Sequence, residues 1–263
     1  MKKGLIVYNK IDQKKNQWFI DRFLKEMNDG YFSLLYKEES EVIDYAVNNL
    51  IDFVIYRGRN ALISKELEDL QIKVFDNSQT NRVANNKYVS FLFFKENNLP
   101  CVETFQKSEE VDGYPLVMKT TSGHGGQEVY LLNSPEDEAK IEKEMFKDYI
   151  YQRYIPNVSD VRLYVLGGQV IGAVKREGHN DFRSNFSLGG KASTYQPSME
   201  MKEVAIQIAD LLDADYIGVD FFLTKDGFLL NEIEDPVGAR MLYATSGVDA
   251  ISLFIEHIKN QLK

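Results

Sequence analysis

Asp220 stands in the middle of the apolar run YIGVDFFL (216–223), and a strand that buries this run must also take the carboxylate out of water. That desolvation is costly unless a cation or a hydrogen-bond network replaces the lost hydration. The chain then supplies a turn, TKDG (224–227), and a second apolar run, FLLNEIE (228–234), which closes on Glu232 and Glu234. In an extended chain residues i and i+2 share a face, so these two glutamates form a pincer while Ile233 turns to the opposite side. Folded as a hairpin, 218–223 against 228–233, the ribbon sets Asp220 across from the pincer and makes an all-oxygen site. Such a site suits magnesium or manganese. The alternative at this point is a solvated strand end whose acids face water.

A chain of 263 residues, 44% of them hydrophobic, can bury a substantial core in two or three lobes. Its apolar runs are strand-length, and MKKGLIVYNKID lacks the apolar core of a signal peptide, so a soluble protein of the cytoplasm is expected. The single cysteine, Cys101, cannot form an internal disulfide, and the three scattered histidines suggest no zinc site. A formal charge of −9 argues against a broad nucleic-acid surface, yet leaves room for a local basic pocket that takes a small anion.

The runs GLIVY, FSLLY, DFVIY and IKVF open the chain, with helical stretches between the first three. This is α/β alternation. Phe19, Phe23, Leu24 and Met27 fall at helical spacing, as do Val42, Ile43, Ala46, Val47 and Leu50, so each crossover has a stripe to lay on a parallel sheet. The lobe is Rossmann-like in outline, but VYNKIDQKKN follows its first strand where a dinucleotide site would need GxGxxG. Substrate docking or scaffolding is the role left to it.

A second lobe starts near residue 86, after which the pattern turns antiparallel. VRLYVLGGQVIGAVKR reads as a hairpin with GG at its turn, and EGHNDFRSNFSLGGKAS as a polar loop. Met201, Val204, Ala205, Ile208 and Leu212 mark a helix before the acidic hairpin, and Ile251, Phe254, Ile255, Ile258 and Leu262 mark a closing one. In KTTSGHGGQEV, Lys119 ends an apolar strand and Gly123, Gly125 and Gly126 follow it. Such a loop can lay backbone N–H groups over a phosphate chain while the lysine adds a point charge. Taken alone, it is more often an ordinary hairpin turn. The stretch around Lys191 misses a Walker A loop, because residue 185 is Asn and residue 192 is Ala.

What narrows the choice is the order of parts: lysine with glycine loop, the strand IYQRYI, an arginine-bearing hairpin, then three acids in paired strands. Each answers one need of a nucleoside triphosphate: an apolar slot for adenine, a polar group for ribose, cations for phosphates, carboxylates for magnesium. In this order the parts resemble an ATP-grasp ligase, and within that superfamily the RimK-type carboxylate–amine ligases, typified by ribosomal-protein glutamate ligase. The likeness is most specific in DVRLYVLGGQVIGAVKR, DFRSNFSLGGKAS, GVDFF and NEIEDPVG, with SGVDAISLFIEHI similar to the family's last helix. Weaker likeness extends back through NKYVSFLFFKENNLP to IDFVIYRGR.

The resemblance implies an α/β (α+β) ATP-grasp fold. An N-terminal Rossmann-like pre-ATP-grasp domain would occupy residues 1–85 and an ATP-grasp domain residues 86–263. The latter would divide into a subdomain with the mobile glycine loop (86–151) and one with the metal site (152–263), clasping ATP between them. Carried over residue by residue, the resemblance makes Lys119 and Lys87 phosphate ligands, together with the loop glycines Gly123, Gly125 and Gly126. Arg153 and Tyr154 become the adenine hinge, with Gln152 and Ile155 beside them, and Asp160 falls at the ribose-contacting position. Arg183, Ser184 and Asn185 match a further nucleotide-contacting segment, and Asp220, Glu232 and Glu234 the ligands of Mg²⁺ or Mn²⁺. Arg176 and Arg183 match positions facing the reaction centre and are the catalytic candidates. Two departures stand out: the family usually has an acid in place of Arg153 and Asn in place of Glu234. The hinge contact is largely main-chain, so the first costs little, whereas the second adds negative charge and should tighten divalent binding.

The implied reaction is attack of a substrate carboxylate on the γ-phosphate, then attack of an amine on the resulting acylphosphate. A small molecule or a peptide could supply the carboxylate and the amine, and a homo-oligomer is compatible with the family. Two rivals share the nucleotide site: an enzyme with a phosphate acceptor, and a regulatory nucleotide-binding protein without turnover. Arg162, Arg176 and Arg183 could each also be surface salt-bridge partners, the commoner fate of arginine. Arg57, Arg59 and Arg240 could each meet a substrate carboxylate or simply face solvent or a local acid. His124 reads as a solvent-facing loop tip and Cys101 as a strand residue.

Overall fold

The computed structural model describes residues 1–123, 128–143, 147–156, 159–177 and 191–263. The four opening runs become β1 (Lys2–Tyr8), β2 (Phe32–Glu38), β3 (Phe53–Tyr56) and β4 (Lys73–Phe75), parallel and ordered β2-β1-β3-β4. Between β1 and β2 run α1 (Lys10–Lys15) and α2 (Gln17–Met27), and Phe19, Ile20, Phe23 and Met27 of α2 are buried, as the helical spacing requires. In α3 (Val42–Asn48) the expected stripe is shorter: Val42 and Ala46 are buried, but Val47 and Leu50 are exposed. The helix stops at Asn48 and Asn49 is already extended, so the stripe never completes its third turn. A further helix, α4 (Ala61–Asp69), joins β3 to β4; the Asn60 side chain opens it by accepting the Leu62 N–H. At Gly4, opposite Phe53 in the ladder of β1 and β3, a Cβ would collide with the Phe53 ring.

Two asparagine-capped helices lead out of this sheet. Asn77 caps α5 (Ser78–Ala84), and Asn86 caps α6 (Lys87–Glu96) by accepting from Tyr88 and Val89. The cap places Lys87 at the helix start, with its own N–H on the Thr121 carbonyl at 2.9 Å. A second sheet, antiparallel where its strands pair, follows: β5 (Thr104–Phe105), β6 (Leu116–Thr120), β7 (Val129–Leu132) and, after α7 (Pro135–Ala139), β8 (Tyr149–Arg153), ordered β5-β8-β6-β7.

The third sheet is antiparallel and ordered β11-β10-β9-β12-β13: β9 (Ser159–Leu166), β10 (Gln169–Glu177), β11 (Lys191–Thr194), β12 (Tyr216–Thr224) and β13 (Gly227–Glu234). Gly167 and Gly168 turn β9 into β10 at φ of 54° and 73°, the left-handed region glycine enters freely. Residues 191–193, read as the end of a polar loop from the sequence, belong to an edge strand on β10. One face of this sheet is apolar: Val161, Leu163, Ile217, Val219 and Phe221 pack on α8 (Met199–Leu212) and on Val83 and Phe94 from α5 and α6. Because side chains alternate, the opposite face carries Asp160, Arg162 and Tyr164 from β9 and Asp220 from β12.

That second face and the parallel sheet share one core. Ile6, Phe53, Ile55 and Phe75 cluster with Tyr164, Tyr216 and the buried side of α10 (Ala250–Gln261), which follows the short α9 (Arg240–Ser246). Polar staples hold the same junction: Asp76 accepts the Tyr216 N–H at 3.0 Å, Asn81 donates to Asp235 at 2.8 Å, and Asn85 donates to the Asp235 carbonyl at 2.9 Å. Among the described residues, no helix is long and apolar enough to cross a membrane. Phe254 is fully buried at this junction against Phe23 and Tyr216. Phe254→Ala should therefore cost about 3–5 kcal/mol, read as a lowered urea midpoint with an unchanged slope.

Candidate functional site

The acidic ribbon folds as its sequence demands. β12 and β13 pair through a two-residue turn at Lys225 and Asp226, with Asp220 opposite Glu232 and Gly218 opposite Glu234. The register slips between Asp220 and Phe221, which pairs with Leu230, so Asn231 is an extra residue, a bulge. Ligand oxygens of Asp220, Glu232 and Glu234 lie within 4.8 Å of one another. By donor type and spacing the cluster fits a hard divalent cation.

Asp220 is completely buried, and two arginines replace its water. Arg162, directly across the ladder on β9, grips it bidentately: Nε to Oδ1 at 2.6 Å and Nη2 to Oδ2 at 2.7 Å. Arg176 on β10 adds Nη2 to Oδ2 at 2.6 Å and gives the same nitrogen to Asp160 at 2.6 Å. Arg162 also reaches Glu234 Oε2 at 3.1 Å. Burial alone would push the Asp220 carboxyl up, but the two guanidiniums outweigh it and hold the carboxyl at about 2. Asp160 hydrogen-bonds Arg176 alone, and burial raises it to about 6. Gly218 makes room for this packing, since a Cβ there would press on Val237 and the Arg162 stem.

The phosphate candidates approach from the second sheet. Lys119, buried at the end of β6, donates to Asn231 Oδ1 at 3.1 Å, and burial lowers its ammonium to about 8. Lys87 stands 3.7 Å from Glu232 and donates to the Gly123 carbonyl. A Cβ on Gly123 would strike the Thr120 hydroxyl, so this position is glycine for space. Gly125, Gly126, His124, Arg183, Ser184 and Asn185 lie outside the described residues.

At the expected hinge, the Arg153 side chain is exposed and binds Asp112 at 3.1 Å, and the Tyr154 N–H donates to the Pro115 carbonyl at 3.1 Å. Gln152 is buried with its amide on Thr104 at 2.8 Å, and Ile155 is partly exposed just beyond β8. Asp160, expected beside a ribose, is buried with its Oδ2 on Arg176. Of the expected set, the structure gathers Lys87, Lys119, Asp160, Arg176, Asp220, Glu232 and Glu234 into one connected group.

Arg162 corrects the expectation of a surface salt bridge: its side chain is 7% exposed and it holds Asp220. The signal was present in DVRLYVL, where Asp160 and Arg162 alternate with Val161 and Leu163 and must share the polar face. Asn231 was missed because a bulge leaves no periodic trace. Between these acids and the parallel sheet opens a cavity of about 490 Å³, whose lining includes Arg57, Arg162, Arg176, Glu232, Glu234 and Arg240.

A family model described as the RimK-like ATP-grasp domain matches residues 99–258. Among curated proteins, the uncharacterized protein MG011 of Mycoplasma genitalium is 29% identical over 248 residues, 92% of this chain and 86% of that one. A probable alpha-L-glutamate ligase of Haemophilus influenzae is 28% identical over 259 residues, covering 90% of this chain and 85% of that one. The D-alanine–D-alanine ligase of Bacillus anthracis superposes with a TM-score of 0.78 at 14% identity, over 100% of this chain and 97% of that one, a likeness of fold.

Asp220 and Glu232 should separate on substitution. Asp220→Asn strands two buried guanidiniums and should cost about 3–5 kcal/mol in thermal or urea denaturation. Glu232→Gln changes a side chain 27% exposed and should leave the midpoint nearly unchanged. In the wild type the Asp220 contribution is present above its ordinary value of 3.8 and is lost as pH falls through about 2, so the Asn variant should show a flatter acid limb.

Proposed function

Because the chain belongs to the RimK-like ATP-grasp family, we propose that it is an ATP-dependent carboxylate–amine ligase. It joins an acid to an amine through an acylphosphate, using the polar face of β9, β10, β12 and β13 as its reaction surface. The observation that carries this reading is the juxtaposition of a three-carboxylate cluster with two lysines from other elements and two buried arginines. The ligase names of relatives such as the Haemophilus protein support the same reaction class.

Direct condensation fails because a carboxylate oxygen is a poor leaving group, whereas phosphate leaves readily once its charge is met. The substrate carboxylate attacks the γ-phosphorus and ADP departs, giving the acylphosphate; the amine then attacks the acyl carbon, phosphate departs, and the amine sheds a proton. Lys119 and Lys87 bind phosphate oxygens, and Arg176 faces the reacting groups. Arg162 holds Asp220 and Glu234 in place. Asp220, Glu232 and Glu234 would hold Mg²⁺, which when bound supplies positive charge between triphosphate and carboxylate. With this reading go the division at residues 85/86 and 151/152, the nucleotide lying between the second and third sheets, and a hinge contact made by main-chain groups near Arg153 and Tyr154. An amino acid or a short peptide fits as substrate, and a homo-oligomer is compatible.

A screen of amino acids and peptides for magnesium-dependent ADP release tests the proposal. ADP release should require an acid and an amine together, with amide as product; phosphorylated acid alone would favour a phosphate acceptor, and nucleotide binding with no turnover a regulatory protein. Lys119→Ala and Glu232→Gln should each lower kcat/KM by roughly a hundredfold or more.

Lys119 also sets an alkaline limit. Its ammonium is lost above about 8, so the KM for ATP should rise with pH through that value. Lys119→Arg stays charged and should flatten the rise, even where the variant is slower.

A further inference from the structure

Two cavities meet at the acid ribbon, and one basic side chain belongs to both. Beside the 490 Å³ cavity lies a narrow cleft of about 20 Å³, lined by Asn85, Lys87, Ser122 and Gly123 as well as by the ribbon. Its free space takes one atom the size of a water or a phosphoryl oxygen. In the ligase reading the reacting acid enters the larger space, while the cleft is walled by groups that serve the phosphates. Among the described residues, only Glu232, Glu234 and Arg59 line both. A phosphoryl group passing from nucleotide to acid must cross where these spaces join, and Arg59 is the one cation among the described residues that borders both.

The backbone that carries Arg59 is pinned on both sides, in the link between β3 and α4. Asn81 Nδ2 donates to the Gly58 carbonyl at 3.0 Å and to Asp235 at 2.8 Å, which ties the root of Arg59 to the residue that follows Glu234. On the other side the Tyr56 hydroxyl accepts the Asn60 N–H at 3.2 Å. The guanidinium itself rests on Asp12, Nη1 to Oδ2 at 2.6 Å. Asp12 belongs to α1, a helix with no buried residue, and also accepts from the Asn9 amide at 2.9 Å, so it stays hydrogen-bonded when the arginine leaves. A long side chain on a fixed root can therefore trade this carboxylate for a phosphate, and its planar fork suits either anion.

The geometry points to Arg59 as a further ligand of the γ-phosphoryl group, held by Asp12 in the absence of nucleotide and passed to the phosphate oxygens when ATP binds. This assignment rests on the ligase reading and adds to it a residue of the N-terminal lobe that touches the group being transferred. Asp12 is then a competitor for the arginine and not a partner in the reaction.

Calorimetric titration in magnesium, with ADP and with the non-hydrolysable β,γ-imido analogue of ATP, isolates the γ group. Arg59→Gln should weaken the analogue roughly tenfold or more and leave ADP nearly unchanged. Arg59→Lys keeps the charge without the fork and should recover part of that loss. Asp12→Asn separates this role from a structural one: it breaks the same ion pair but frees the arginine, so the analogue should bind at least as tightly as to the wild type. Should Arg59→Gln fail to fold, Arg59→Lys decides by the same readout, with a several-fold loss for the analogue alone. Analogue affinity untouched by Arg59→Gln overturns the assignment, as does equal weakening of ADP. A loss in Asp12→Asn that matches the loss in Arg59→Gln overturns it too, and so does a wild type that binds ADP but not the analogue. Each of these leaves a nucleotide site standing, whereas failure to bind ADP removes the ligase reading beneath the assignment.

Discussion

The grip of Arg162 and Arg176 on Asp220 is the interaction on which the rest of this site depends. A carboxylate with no exposed surface is tolerable only when its lost hydration is replaced atom for atom, and here three short guanidinium hydrogen bonds do so. Those bonds run across three adjacent strands, so the sheet fixes them and they in turn fix the acids. Arg162 extends to Glu234 and Arg176 to Asp160, which ties three of the carboxylates on the face into one network, while Glu232 meets Lys87. Two guanidiniums stand against four carboxylates there: Asp160, Asp220, Glu232 and Glu234. Lys87 and Lys119 lie against that excess of two negative charges from the neighbouring elements.

The bulge at Asn231 gives this network its link to the second sheet. Leu230 and Ile233 both lie on the apolar side although three positions apart, which strict alternation forbids and the bulge at Asn231 permits. With it, the Asn231 amide meets the Lys119 ammonium and joins β6 to the acid ribbon through one hydrogen bond. Lys119 thus has its position set by the same hairpin that carries the acids. A buried ammonium whose proton is held only to about 8 is easily redirected by a phosphate, because its present partner is neutral.

Much of this was legible in the sequence, for a reason that differs by element. The hairpin could be read because Asp220, Glu232 and Glu234 interrupt two apolar runs on either side of a turn, although the register that sets Asp220 opposite Glu232 needed the bulge. The parallel sheet could be read from strand-length runs, and α2 from its stripe, but α4 was passed over although Ile63, Leu67 and Leu70 fall at helical spacing. Arg162 was underrated, since an arginine in a strand says nothing of its partner until the partner strand's register is known. Arg57 is the sharper case: its neighbours in sequence place it at a strand end, and only the packing of the parallel sheet against Val237 and Phe19 shows it buried. Composition likewise concealed the basic cavity, because a net charge of −9 is an average over the whole chain.

Glu234 shows how geometry revises an argument from residue type. Where the resemblance leads one to expect Asn, an extra carboxylate should by simple charge counting deepen the negative potential and tighten divalent binding. In the structure, however, Glu234 Oε2 accepts from Arg162 at 3.1 Å, so part of its charge is spent on a guanidinium that also serves Asp220. A neutral amide at this position would offer that nitrogen a weaker acceptor and would leave Arg162 more wholly on Asp220. The glutamate therefore does two things at once: it keeps a carboxylate in the acid cluster, and it gives Arg162 a second anion besides Asp220.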